Sequence, residues 1–429
     1  MTSKSQWLSQ PFKEKIFSAK TLFLSSKIPQ RICLILVLLL FTATAFSTTA
    51  LSGQTAFYRI NLIVNVCLAA LCLIYALLFG RFVAGPYLIL VVLFNFITII
   101  SFLANGCKTF TTTLLTLSLV SLSLFEFVTQ SEVHRDTALL FSLVGIEAFL
   151  MYFVVAYFHD FLHPSISFGN RIGILFGNQN DVGRYLAFAF FFNFYFAYSL
   201  RLYFCYFFSL ISLYAILLTG SVSNLITIFL VIFIFFSFFL KKKAKVIFLI
   251  IALALIVGFI VALQFPFLAY YRNRFLGMIA SFFGIKTGNS DPSFENRFEL
   301  AVEGFYLFLE NPVFGGGFQF VRANAFQVNF AHNNYAEVAA SFGIFGLLAE
   351  ETLILWPIFA QKSNKKTAFF QFIMLVTLYI FLFQLFLVSY YSKMEFFCFP
   401  FIYACLSRPF YFEFSFRGRG FIYKKTIVN

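Results

Sequence analysis

Apolar residues run through this chain in blocks of about twenty, broken by short clusters of charge, Gly, Pro and Asn. A hydrocarbon layer about 30 Å thick needs roughly 20 helical residues to cross it, so blocks of this length predict membrane-spanning helices. Twelve such blocks are readable, beginning near Arg31, Ile60, Ala84, Thr109, Ala138, Tyr185, Leu202, Asn224, Val246, Val338, Ala368 and Phe396. The expected fold is therefore all-α: one integral membrane domain over residues 1–429, with about twelve transmembrane helices. Two connections are long, 159–184 and 269–337, and the second carries a helical pattern of its own. Asp291-Pro292 reads as a helix start and Asn311-Pro312 as its stop. Between them Phe294, Phe298, Ala301, Val302, Phe305 and Leu309 recur at helical spacing, with Glu295, Glu299 and Glu303 on the other face. Such an amphipathic helix is expected on the outer membrane surface, its Phe stripe in lipid or against the bundle, covering or shaping a site.

Composition sharpens this picture: 61% of the 429 residues are hydrophobic, 11% are charged and 70 are Phe. A soluble domain carries about a quarter charged residues, so a water-soluble enzyme is excluded. The net charge of +14 is explained by placement. With the N-terminus inside, most of the 31 Lys and Arg, including Arg81, Arg135, Arg201, Lys241 to Lys243 and the tail residues Arg408 to Lys425, fall on the cytoplasmic side. Both termini are then cytoplasmic, and the two long segments lie outside. In the larger one Arg272, Arg274, Lys286, Arg297 and Arg322 are balanced by Asp291, Glu295, Glu299, Glu303 and Glu310, which does not fit a nucleic-acid surface. The polar, basic first thirty residues lack a cleavable signal pattern. The seven cysteines contain no CxxC and only Cys107 falls on an outer loop, so neither disulfides nor zinc is indicated.

Chemistry concentrates in the outer segments. Arg171, Arg184, Arg297 and Arg322 are hard to explain as topology signals. An outer-face guanidinium suits phosphate, because its planar fork makes two charge-assisted hydrogen bonds and does not titrate. The phosphates available at a bilayer are head groups and lipid-linked diphosphates. His332, followed by Asn333 and Asn334 just before the tenth block, is a candidate general base. His159 and His163 in HDFLH have the i, i+4 spacing of a metal pair, but no third ligand is visible and no metal is expected. Gly315-Gly316-Gly317 reads as a flexible turn, since the Lys and context of a phosphate loop are missing. Glu147, inside the fifth block, is either a functional carboxylate or a helix-to-helix hydrogen-bonding residue.

Residues 297 to 347 read RFELAVEGFYLFLENPVFGGGFQF…AHNNYAEVAASFGIFGLL and resemble the signature of the O-antigen ligase and polymerase family. The matching elements are Arg297, Asn311-Pro312, Gly315 and Gly317, His332-Asn333, and Gly343-Ile344-Phe345-Gly346. The stretch from Arg171 through Asn178-Gln179-Asn180 is similar to an earlier family segment, with Gln179 where Pro is usual. The family's Ser-Arg pair after its middle span is replaced here by Thr219-Gly220-Ser221-Val222-Ser223, which leaves a third cationic contact absent or supplied by Arg184. The resemblance implies glycosyl transfer from an undecaprenyl-diphosphate-linked glycan, with no nucleotide sugar, cofactor or required metal. It implies His332 as base and Arg171, Arg297, Arg184 and Asn333 as substrate-binding residues. It further implies a bacterial cytoplasmic (inner) membrane location with the active face outside. Membrane lipids, a chain-length regulator and a flippase are the implied partners. The favoured activity is polymerisation of repeat units of a capsule, O-antigen or exopolysaccharide. The alternatives are ligation of glycan to lipid A core or protein, a lipid-linked oligosaccharide transporter, and a scaffold. A transporter is disfavoured because the halves show no repeat and the polar residues gather on one face.

Overall fold

The computed structural model describes residues 70, 81–105, 112–130, 135–164, 172, 179–199, 201–282, 292–325, 330–361, 367–388, 393–406, 412–415 and 422–425. Apart from residue 70, the blocks beginning near Arg31 and Ile60, and Arg171, lie outside the described residues. In chain order the elements are β1 (Arg81–Ala84), α1 (Pro86–Ala104), α2 (Thr112–Gln130), α3 (Arg135–Ala156), α4 (Phe158–Leu162), α5 (Gln179–Tyr198), α6 (Cys205–Thr219), α7 (Val222–Phe239) and α8 (Lys242–Ala262). They continue with α9 (Ala269–Phe282), α10 (Pro292–Glu310), α11 (Phe320–Asn324), α12 (Asn334–Ala360), α13 (Ala368–Phe383), α14 (Lys393–Ala404), β2 (Phe412–Ser415) and β3 (Ile422–Lys425).

Each of the ten later apolar blocks falls on one of these helices. By length and composition α1, α7, α8 and α12 are able to cross a membrane, and Leu117–Glu126, Leu143–Ala156, Cys205–Thr219 and Ala368–Phe383 are shorter apolar stretches. The expected count of twelve is not confirmed. The solvent around the bundle is nonetheless legible in α8, where Ile250, Leu253 and Leu255 are more than 60% exposed and only Ala252 is buried. A helix apolar all round and yet unburied is stable only where the surroundings are themselves apolar.

Inside the bundle α5 is enclosed, every residue from Val182 to Ala197 being buried. Aromatic rings from its neighbours meet it edge-on: Phe192 contacts Phe372 at 4.8 Å and Phe188 contacts Tyr379 at 5.5 Å. Such pairs add about 0.5–1.5 kcal/mol each beyond burial. Among its buried polar residues is Asn193, whose Nδ2 donates to Glu147 Oε1 on α3 and to the Ala189 carbonyl, so Glu147 is a helix-to-helix hydrogen-bonding residue.

The all-α expectation needs one correction. β2 pairs antiparallel with both β1 and β3, Arg81 facing Ser415 and Phe412 facing Lys425. Four-residue strands separated by more than three hundred positions leave no periodic signal, because only the fold brings β1 to the tail.

α10 has the bounds that the prolines predict; Phe298, Phe305 and Leu309 are more than half exposed and the buried row is Leu300, Gly304 and Leu307. The reason is steric. This row meets Val321, Ala331, Ala336 and Ala340, and a Cβ on Gly304 would lie only 3.3 Å from the Cβ atoms of both Ala331 and Ala336. A small-residue face allows an approach that a row of Phe would forbid, so Phe305 and Leu309 stay outward, as expected of a helix that offers them to lipid, while Phe294 and Phe298 nearer its start line a pocket.

The glycine run is also not a loose turn. Gly343 (φ 69°, ψ −169°) breaks α12, which strips the carbonyls of Ala340 and Ser341 of their helical partners. The segment after α10 replaces them: Gly316 N–H donates to Ala340 O at 2.8 Å and Gly317 N–H to Ser341 O at 2.9 Å, while Ile344 N–H donates to Pro312 O at 2.9 Å. A side chain at Gly343 would run into the Val313 carbonyl, and one at Gly315 into the Ser341–Phe342 peptide. The two glycine-containing signatures are thus one interlocked joint, closed from α1 by Ser101 Oγ donating to Ser341 O at 2.9 Å and Asn105 Nδ2 to Gly315 O at 2.8 Å.

Candidate functional site

This joint sets the N-terminal end of α12 against α10, and a pocket opens there. It is lined by Asn180, Val222, Ser223, Ile226, Arg274, Phe294, Arg297, Phe298, Ala301, His332, Asn333, Leu385 and Phe386, and has a volume of about 150 Å³. Sites for drug-sized ligands run to about 300–1,000 Å³, so this pocket is smaller than such a ligand needs.

His332 sits on a held, strained turn. Its φ of 52° is in the left-handed region, uncommon outside glycine and costing of order 1–3 kcal/mol unless the surroundings impose it. The neighbours do so on both sides. Ala331 N–H donates to Glu337 Oε2 at 2.8 Å, Asn334 N–H donates to the Gln384 carbonyl at 2.8 Å, and Asn333 caps α12 by accepting from Ala336 N–H at 3.1 Å. The Asn334 amide is tied in turn to Glu350 Oε1 at 2.9 Å. Glu337 at the start of α12 also lies where the helix dipole favours negative charge. The imidazole rests on Phe330, with ring centres 4.5 Å apart, and its Nδ1 is buried with no hydrogen-bond partner among the described residues. Burial first, and then the positive charge of Arg297, push His332 down from 6.5 to about 4. Its imidazole is consequently neutral at ordinary pH and has a lone pair to offer.

Of the substrate-binding residues expected from sequence, Arg297 and Asn333 line this pocket with His332. Arg184 does not: it is buried in α5, paired with Asp181 at 2.9 Å and lying 5.9 Å from the centre of the Phe383 ring. In its place the pocket has Arg274 from α9. Arg274 donates to Tyr270 Oη at 3.0 Å and packs over that ring, and the next residue, Tyr271, anchors α9 by donating to the Leu217 carbonyl. In the sequence Arg274 stands out only as an outer-loop charge. Asn180 and Ser223 are likewise in the lining, although they lie 43 positions apart and were separate motif fragments in the sequence. Every charged or readily protonated lining residue is basic. The rings of His159 in α4 and His163 just after it lie 4.9 Å apart with their planes tilted by 44°, and no group of three metal-ligating side chains occurs among the described residues.

Bundle, joint and pocket define a helical membrane protein with a cationic, histidine-bearing site at one end of its helices. Residues 207–349, which include α10, the glycine joint, Arg274, Arg297 and His332, match the sequence model of the family described as O-antigen ligase. Over that third of its length the chain is similar to the O-antigen ligase family. No curated protein matches it.

Proposed function

We propose that the protein is a membrane glycosyltransferase that moves a glycan from an undecaprenyl-diphosphate carrier to a sugar hydroxyl on the outer face of the cytoplasmic membrane. One observation carries this reading: a pocket whose charged lining is wholly basic, Arg274 and Arg297, surrounds a neutral, half-buried histidine. The acceptor hydroxyl loses its proton to the His332 imidazole as its oxygen bonds to the anomeric carbon. The bond from that carbon to the diphosphate breaks, and its electron pair leaves on the diphosphate oxygen. Arg297 and Arg274 stabilise the charge that develops there, a contribution largest where water is excluded. Asn333 lines the same turn as His332 and binds substrate beside it. Arg171, outside the described residues, remains a donor-binding residue in this proposal, whereas the supporting cation is reassigned from Arg184 to Arg274. The reaction balances without a nucleotide or cofactor, because the glycosyl diphosphate bond is already activated.

Within this class we favour polymerisation of the repeat units of a capsule, O-antigen or exopolysaccharide, assisted by a chain-length regulator and fed by a flippase. Ligation to lipid A core or protein is the second reading, and the matched domain's description supports it. A gel of surface and carrier-linked glycan decides between them, using deletion cells that express wild type, His332→Ala or Arg297→Ala at matched levels. Single repeat units in the variants and a ladder in wild type support the polymerase. Long chains retained on the carrier support the ligase. Wild-type ladders in both variants overturn the mechanism.

A further inference from the structure

The pocket has a second kind of lining that the diphosphate chemistry leaves unused. Asn180 opens α5 and Ser223 opens α7; both are uncharged and half-buried. A buried network brings them together. Ser221 Oγ donates to Asn180 Oδ1 at 3.0 Å, Asn224 Nδ2 donates to Ser221 Oγ at 2.7 Å and to the Asn180 carbonyl at 3.1 Å, and Tyr379 Oη on α13 donates to Asn224 Oδ1 at 2.5 Å. Ser221 also lies 3.4 Å from the Ser223 hydroxyl. Ser221, Asn224 and Tyr379 are completely buried, and Gly183 leaves the space that Asn224 fills, since a Cβ there would strike its amide. Apolar side chains would join α5 to α7 at lower desolvation cost. What a satisfied polar network adds is a fixed orientation of the groups at its edge, and the edge of this one is the pocket wall. Phe294, Phe298 and Phe386 line the same space. An oriented amide and a hydroxyl each donate and accept, as sugar hydroxyls do, and aromatic rings offer apolar surface to the C–H faces of a sugar ring.

We propose that Asn180 and Ser223 form a saccharide subsite, hydrogen-bonding sugar hydroxyls beside the reacting bond, with Ser221, Asn224 and Tyr379 acting as positioning residues. The inference rests on the glycosyl-transfer reading above. The bound sugar belongs either to the donor or to the acceptor, and two rates of one enzyme distinguish them. In transfer the acceptor oxygen attacks the anomeric carbon. In hydrolysis water attacks the same carbon, gives its proton to His332, and the diphosphate leaves as before.

The experiment uses the full chain in lipid nanodiscs with a radiolabelled lipid-diphosphate-linked repeat unit as donor and a lipid-free repeat-unit oligosaccharide as acceptor. Asn180→Ala and Ser223→Ala are each expected to lower kcat/KM for transfer about tenfold, the effect of losing one or two hydrogen bonds at a buried polar site. Tyr379→Phe is expected to lower the same constant by a smaller factor. A raised KM for acceptor with unchanged hydrolysis assigns the subsite to the acceptor. A raised KM for donor, with transfer and hydrolysis falling together, assigns it to the donor. Ser223→Ala removes only a wall hydroxyl, so its result stands even where Asn180→Ala fails to fold. Wild-type constants in folded Ser223→Ala and Asn180→Ala, with His332→Ala inactive, overturn the subsite alone. Wild-type transfer by His332→Ala overturns the reading beneath it.

Discussion

The α5 core and the segment from 311 to 346 are two neighbouring regions held together in opposite ways. Around α5, rings pack on rings and apolar contact predominates. Around 311–346 the chain bends sharply and is held by hydrogen bonds: apart from Arg201 and Gly220, every positive-φ residue described lies there, at Gly315, Gly317, Gln319, His332 and Gly343. The difference teaches where this protein stores strain. A close-packed core tolerates little deviation, whereas a joint made of carbonyls released from a broken helix can hold His332 in a costly conformation, because several independent bonds over-determine it.

The comparison is broken most directly at its two centres. His332→Ala is expected to lower transfer by about 10²–10⁴-fold with the melting midpoint unchanged, since the residue is proposed as a base and is not part of the core. Phe188→Ala does the reverse, costing about 3–5 kcal/mol of stability in a detergent melt, with the pH profile of the surviving enzyme unaltered. Equal effects of both substitutions on both measurements would erase the distinction between the regions.

Glycines sharpen it. Gly343→Ala places a Cβ against the Val313 carbonyl at a φ of 69°. It is expected to cost at least about 1–3 kcal/mol and to lower activity with stability, because the joint orients the His332 turn. Gly258→Ala, on exposed α8 with nothing near the new methyl, is expected to stabilise by about 0.5–1 kcal/mol. Thermal melts of the two variants provide the check.

At the joint itself, Glu337→Ala removes the acceptor for Ala331 N–H and is expected to lower kcat about tenfold with little change in donor KM, while Glu337→Gln, which keeps an acceptor oxygen, retains most of the rate. The smallest effect is on pH dependence. With His332 held at about 4, the neutral base persists down to that pH and activity is lost as the pH falls through it. The acid limb of kcat/KM therefore belongs near pH 4, below the ordinary imidazole value of 6.5. Arg297→Gln removes the second cause of the shift and leaves burial, so the limb moves part of the way upward. Its failure to move in a pH–rate profile would show that Arg297 does not act on His332.

Much of this was legible in the residues. Solvent class and the positions of ten helices follow from block length, and the bounds of α10 follow from Pro292 and Asn311-Pro312, because these are local properties of the chain. His332, Arg297 and Asn333 were nominated by residue chemistry and motif order. Placement in the fold was not legible: Arg184 and Arg274 look alike as outer-loop arginines, and only packing buries the first against Asp181 and Phe383 while placing the second in the pocket. The Phe stripe of α10 was the stronger periodic signal, yet the small face around Gly304 was the one that could approach α12.

The sequence by itself determined that lipid is the solvent, where the helices lie, which family's motifs are present and which residues are chemically equipped for phosphate and proton. Only the tertiary structure decided which of them meet: the pairing of β1 with the tail, the closing of one glycine motif onto the other across the break in α12, the burial of Arg184 and the placing of Arg274 in the pocket, and the joining of Asn180 to Ser223 through buried Asn224. Periodicity reports a residue's relation to its neighbours within a few turns. Pockets are made by side chains tens to hundreds of positions apart, and their meeting is set by which surfaces can pack closely enough to exclude solvent.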